Sequence, residues 1–275
     1  MSLVFAAIAP HGTVAVPEAP AAAIEGAEKT QAAMEELSRR FAAASPEATI
    51  VLTPHNVHVA GHFAVVMAAT VAGTLADWDA PAVELSCPVD LDLGADLVTA
   101  LEGAGIPVVG VSFGANDPAA ARAPLDWGAL IPLWFMGGRS DPQVPAVVVS
   151  PARDRTWEEH VHAGAALAQA AERTRKRVAL IASADHGHAH APEGPYGFDP
   201  ASADYDARIV ELIGEHRLAE LMRFDPSFVE AAKADSFWQL LMLHGGLETA
   251  SGWQPELLSY EAATYFGMVC AAYER

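Results

Sequence analysis

Short runs of aliphatic and β-branched residues alternate along this chain with longer stretches whose apolar positions recur every three or four residues. The runs at 3–9, 49–53, 108–112, 146–149 and 178–182 each stop near Pro, Gly, Ser or His, and their length and composition predict strands buried on both faces. Helical periodicity runs over 27–44, where Met34, Leu37 and Phe41 share a face, and over 93–104, 157–174, 205–217, 226–234 and 237–247. Buried strands separated by helices imply an α/β fold with a central, largely parallel or mixed sheet flanked by helices. There is no fixed-period repeat, and the richest loop, 189–203, lies inside the pattern, so residues 1–275 read as one domain.

Composition narrows the choice of partners. The 275 residues carry 16 Lys and Arg against 35 Asp and Glu, a formal charge of −19. Nucleic acid and anionic membranes both require clustered cations to replace counterions, so neither is expected as a partner. A hydrophobic fraction of 52% supports a substantial core. The two cysteines, Cys87 and Cys270, form no CxxC pair and are expected as buried thiols in a reducing, cytoplasmic setting. The N-terminal apolar run has no basic residue before it and reads as a strand, not a signal peptide. The longest apolar stretch, 63–76, is interrupted by Thr70, Gly73 and Thr74 and is short of a membrane span.

The histidines, which the formal charge counts as zero, change the picture. In open α/β sheets the ligand site lies beyond the carboxyl ends of the strands. Pro10-His11-Gly12 follows the first predicted strand, Pro54-His55-Asn56-Val57-His58 the second, and Ser183-Ala184-Asp185-His186-Gly187-His188-Ala189-His190 the last. With His62, seven of the eleven histidines fall at or just after these three ends. One such His could simply bond backbone at a strand–loop junction. Two in the same relation to a strand favour imidazoles converging on a metal, for which neutral His is the commonest ligand. His186, His188 and His190 alternate and would share a face if extended; the hydrolase pattern HxHxD fails because position 190 is His, not an acid. A helical turn after His55 would stack His58 and His62 with it, placing His58 in a pocket. Near the C-terminus Glu261 stands alone in an otherwise uncharged, aromatic stretch, and burying it would require a cationic partner.

Taken together, Pro10-His11-Gly12, Pro54-His55, Ser183-Ala184-Asp185-His186-Gly187-His188 and Ser259-Tyr260-Glu261…Gly267 resemble the catalytic (LigB-type) subunit family of class III extradiol ring-cleavage dioxygenases. The loop Gly194-Pro195-Tyr196-Gly197-Phe198-Asp199-Pro200, with Tyr205-Asp206 after it, and the segment running from Pro124 through Asp126-Trp127-Gly128 to Leu133 are similar to that family too. The resemblance extends from Ile8 to Tyr273. It implies His11, His55 and Glu261 as ligands of Fe(II), or of zinc or another divalent metal as isolated, and His188 as the acid/base. Asp185 or Tyr260 would orient the groups around them. The chain departs from the family at Trp127, where His is common, at Ala184, where Gly is usual, and at His186, where an apolar residue is usual.

The activity implied is oxidative opening of a catechol-type ring with O₂, with His58, Trp127 and His186 around the substrate. The resemblance also implies either a homo-oligomer or pairing with a separate small subunit. Two other readings remain open at this stage. A zinc hydrolase could use the His186/His188/His190 cluster, and Trp127 and Ala184 are compatible with a non-enzymatic binding protein on the same fold.

Overall fold

A computed structural model describes residues 2–275. Its centre is an eight-stranded mixed sheet. The strands, in chain order, are β1 (Leu3–Ala9), β2 (Ala48–Leu52), β3 (Phe63–Val66), β4 (Thr70–Leu75), β5 (Ala80–Pro88), β6 (Val108–Val111), β7 (Arg122–Pro124), β8 (Ala146–Ser150), β9 (Val178–Ser183), β10 (Gln254–Glu261) and β11 (Met268–Glu274). The main sheet has the order β10-β11-β1-β9-β2-β8-β3-β6, and β5-β4-β7 form a separate three-stranded sheet. Within the main sheet β1, β9, β2 and β8 are parallel neighbours; β11 and β3 join them antiparallel.

The helices are α1 (Glu28–Ala44), α2 (Leu91–Gly103), α3 (Trp127–Phe135), α4 (Trp157–Arg173), α5 (Pro200–Gly214), α6 (Pro226–Ala231) and α7 (Phe237–Glu248). Helical faces cover both sides of the main sheet, so the alternating side chains of its strands divide between two cores. On β9, Val178, Leu180 and Ala182 belong to the core that includes residues of α2, α4, α5 and α7, whereas Ala179 and Ile181 face the core with α1, α3 and the small sheet. Helices α4 and α7 approach so closely that a Cβ at Gly164 would lie 1.8 Å from the Met242 carbonyl oxygen, and one at Gly245 1.9 Å from that of Val161. This contact fixes α7, and with it the turn that precedes it.

Every predicted strand and helix is present, with ends displaced by a few residues. The pattern passed over β3–β5, β7, β10, β11 and α3. The 63–76 stretch divides into β3 and β4 at a turn, and α3 is nine residues long with Pro132 inside it, too short and irregular for a periodic signal. Both cysteines are free and buried. Among the described residues no helix is long and apolar enough to cross a membrane.

Candidate metal centre

Three parallel, adjacent strands, β1, β9 and β2, end on one side of the sheet and deliver His11, the 183–190 segment and His55 to one place. The His11 and His55 Nε2 atoms lie 3.1 Å apart, and the rings meet edge-on. His11 is almost fully buried. Its Nδ1 is 2.9 Å from the Ser183 hydroxyl, which spends its single proton on the Gly128 carbonyl. Nδ1 must therefore donate, which leaves the Nε2 lone pair of a neutral His11 facing the cluster.

The carboxylate that completes the cluster is Asp235, in the turn between α6 and α7. Its Oδ2 lies 3.4 Å from His11 Nε2 and 3.1 Å from His55 Nε2. His11, His55 and Asp235 form the one group of His, Cys, Asp or Glu suited to holding a metal ion among the described residues. The other carboxylate oxygen, Oδ1, is taken by the Arg153 guanidinium, which lies over the Trp238 ring. Burial opposes ionisation of Asp235, but the adjacent His11 and His55 outweigh it and hold the carboxyl well below its usual range. Burial likewise opposes charging of His11, yet Asp185 and Asp235 raise its pKa above the ordinary imidazole value.

These residues fit a divalent metal. Asp235 Oδ2 is buried, and no N–H is aimed at it with hydrogen-bond geometry. The separations among the three donor atoms suit ligands sharing one ion, whose bonds are about 2.1 Å. Two imidazoles and one carboxylate also form the facial set that binds iron while leaving open positions.

The expected third ligand, Glu261, is elsewhere. Its carboxylate accepts the Lys29 and Thr30 backbone N–H groups at 3.2 and 2.7 Å and the Thr30 hydroxyl at 2.9 Å. Helix α1 begins after Ala27, which offers no side-chain cap, and Glu261 supplies one from β10. Its donors are a helix terminus rather than a cation. Asp235 escaped the sequence reading because Asp-Ser before an apolar helix reads as ordinary capping, and because it follows a helix, not a strand. Its proximity to the start of α7 was the only local signal.

Asp185 and His188 line the same cavity as His11 and His55. Asp185 is buried, and its Oδ1 accepts the His11 backbone N–H at 3.0 Å. His188 donates from Nδ1 to the His186 carbonyl at 2.7 Å, since a carbonyl can only accept, and Nε2 is left free. Its ring stacks on Phe266, with centroids 5.5 Å apart, and contacts Tyr265 and Tyr196. Two cavities meet at this imidazole. One, of about 220 Å³, runs from His11, His55 and Asp185 to a wall of Trp78, Trp127, Tyr265 and Phe266. The other, of about 420 Å³, is bounded by Asp235, Arg153, Trp157, Lys233 and Trp238. Trp127, in the wall of the smaller cavity, stacks on His55 with centroids 4.5 Å apart.

Three expectations are corrected. His58 is exposed and lines neither cavity, because residues 53–62 form a loop and bridge instead of the helical turn that would stack it on His55. His186 is a fully buried core residue: its Nδ1 pairs with the Ser236 hydroxyl at 2.9 Å, and burial pushes its pKa down to about 4. Tyr260 touches neither cavity; its hydroxyl donates to Asp206 at 2.9 Å. The zinc cluster of His186, His188 and His190 does not form either. Those rings turn to Ser236, the His186 carbonyl and Asp206 respectively.

Comparison with known proteins supplies the family. The model of the catalytic LigB subunit of aromatic ring-opening dioxygenase matches residues 5–270. Protein CA_C1420 of Clostridium acetobutylicum is 24% identical over 253 residues, which are 92% of this chain and 53% of that protein. The chain thus spans about half the length of that relative. The crystal structure of the uncharacterized protein JW3007 from Escherichia coli K12 superposes with a TM-score of 0.63 at 18% identity, covering 98% of this chain and 99% of that one. That likeness shows a shared fold. With the family match spanning the strand ends that carry His11, His55 and His188, the chain belongs to the LigB family of catalytic subunits of aromatic ring-opening dioxygenases.

Proposed function

We propose that this chain is an extradiol dioxygenase that opens a catechol-type ring with O₂, using Fe(II) held by His11, His55 and Asp235. The observation that carries the reading is the convergence of two imidazole nitrogens and one carboxylate oxygen, all within 4.8 Å of one another, where the aromatic-lined cavity holding His11 and His55 adjoins the one holding His55 and Asp235. A bound iron would supply the Lewis acidity and one-electron chemistry that bring catechol and O₂ into reaction.

The chain's own groups do the rest. His188 lines both cavities and keeps Nε2 free of hydrogen bonds, suited to take the proton of a catechol hydroxyl and return it as the ring opens. Asp185 holds the His11 backbone, and Ser183 holds the far side of the His11 ring. Trp78, Trp127, Tyr265 and Phe266 offer flat apolar faces to a ring and keep bulk water from it. Trp127 brings an indole where the family commonly has a hydrogen-bonding His, which favours rings without a polar substituent at that side. Both atoms of O₂ end in the ring-opened product, so no further reductant is needed.

The test is anaerobic loading with Fe(II), followed by O₂ and a panel of catechols, 2-aminophenols and gallate-like rings. The expected result is one O₂ consumed per ring opened, with a yellow product. Iron-loaded protein that is inert across the whole panel would contradict the reading.

A further inference from the structure

We infer that Asp206 is the positioning residue that holds His188 in its working orientation, an inference that rests on the acid/base role proposed for His188. Between Ser183 at the end of β9 and Pro200 at the start of α5 there is no helix or strand beyond isolated bridges, so no regular hydrogen-bond ladder places His188. Single backbone bonds run from the His186, His188 and His190 N–H groups to the Gly267, Ala232 and Tyr265 carbonyls, and side chains of α5 complete the anchoring. Asp206 Oδ1 accepts the Gly187 backbone N–H at 2.7 Å, and Oδ2 accepts from His190 Nε2 at 2.8 Å. One turn earlier on the same helix face, the Ser202 hydroxyl accepts the Ala189 N–H at 2.9 Å. The residues on both sides of His188 are therefore tied to one helix.

The Asp206 carboxylate is fully buried, an arrangement that is costly unless its oxygens are satisfied. Tyr260 supplies the third donor, and burial together with the Asp206 charge raises the tyrosine pKa, which keeps its hydroxyl protonated. Gly267 closes the arrangement: a Cβ there would lie 1.8 Å from Asp206 Oδ2, so no larger residue fits without displacing the carboxylate. Asp206 lines neither cavity at the metal centre and so acts through His188. By anchoring Gly187, between the backbone bonds of His186 and His188, it orients the peptide that follows the His186 carbonyl, the group that receives the His188 Nδ1 proton and leaves Nε2 free.

The test uses Asp206→Asn, close in shape but with a single oxygen that can face either the Gly187 N–H or the His190 and Tyr260 donors, its NH₂ opposing the other, and Tyr260→Phe, which removes one donor and keeps the carboxylate. Histidine ¹⁵N NMR, with the His188 signals assigned through His188→Gln, reads the tautomer directly. The wild type is expected to hold His188 as the Nδ1–H form. Asp206→Asn should convert it to a mixture and lower kcat by about tenfold or more, with KM and bound metal unchanged. Tyr260→Phe should move both in the same direction by less. A folded Asp206→Asn protein with unchanged His188 tautomer and kcat would overturn the inference. If that variant does not fold, unchanged His188 signals in Tyr260→Phe would overturn it. The tautomer is read without turnover, so a wild type inert on every ring defeats the ring-opening reading and leaves this result standing.

Discussion

His11 and His55 are separated by 44 residues, yet their Nε2 atoms lie 3.1 Å apart. Because Ser183 claims the proton on the far side of a neutral His11, a lone pair faces the partner ring and the Asp235 carboxylate. Such an arrangement of acceptors is unfavourable unless a proton or a cation lies among them. The metal reading accounts for the orientation of all three side chains at once.

It follows that Asp235 and Glu261, both acids near helix starts, should respond to substitution in opposite ways. Asp235→Asn should lose most of the bound metal while its fold survives. Glu261→Ala should keep the metal and lose about 1 kcal/mol of stability, the usual cost of removing an N-terminal cap. Elemental analysis and denaturant unfolding of both variants check this. Metal loss in Glu261→Ala with retention in Asp235→Asn would reverse the assignment.

Removing the His188 imidazole should separate chemistry from metal binding. His188→Ala is expected to retain iron and to lower turnover by about 10²–10⁴-fold, the range supplied by a general acid/base. Steady-state kinetics beside metal quantification make the comparison. Turnover within a few-fold of wild type would remove His188 from the reaction.

Trp127 both walls the smaller cavity and stacks on the His55 ring, so its loss should be felt in both stability and selectivity. Trp127→His would return a hydrogen-bonding group to the cavity and should shift preference toward rings with a polar substituent. Competition assays between paired catechols read this as a ratio of kcat/KM values. An unchanged ratio would show that the indole does not face the substrate.

The strand-end part of the site was legible because it is local. A strand, a tight turn and a histidine lie within a few residues, so Pro10-His11, Pro54-His55 and the 183–190 segment announce themselves. The main strands and helices were legible for the same reason, since burial on two faces leaves an unbroken apolar run. Asp235 was not, because its relation to His11 and His55 exists only after α4 and α7 pack and carry the α6–α7 turn to the carboxyl ends of β1 and β2. Glu261 misled for a physical reason: an acid in an apolar stretch does need donors, but the start of α1 provides them across the fold. His58 misled because a spacing of three means adjacency only on a helix.

Acid should weaken the fold through its buried histidines. Burial lowers the pKa of His160 and of His244 below 6.5. At mildly acid pH the unfolded chain therefore binds protons that the folded chain resists. Stability is full above about 6.5 and is lost as pH falls below it. The His160 ring packs against Phe63 at 4.9 Å and donates from Nδ1 to the Thr156 carbonyl at 2.7 Å, leaving a buried Nε2 with no partner to welcome a proton. His160→Gln keeps a donor for Thr156 and does not titrate, so its stability should decline less between pH ~7.5 and ~5 than that of the wild type. Parallel declines in urea unfolding would contradict this.

The central claim is that one ion is shared by His11, His55 and Asp235. The most direct measurement is a crystal structure of the iron-loaded protein, with anomalous data collected on both sides of the iron absorption edge. One strong peak is predicted, bonded to Nε2 of His11, Nε2 of His55 and Oδ2 of Asp235, with Glu261 still capping α1. A peak coordinated by Glu261, or no iron among these three side chains in protein shown to be iron-loaded, would contradict the account.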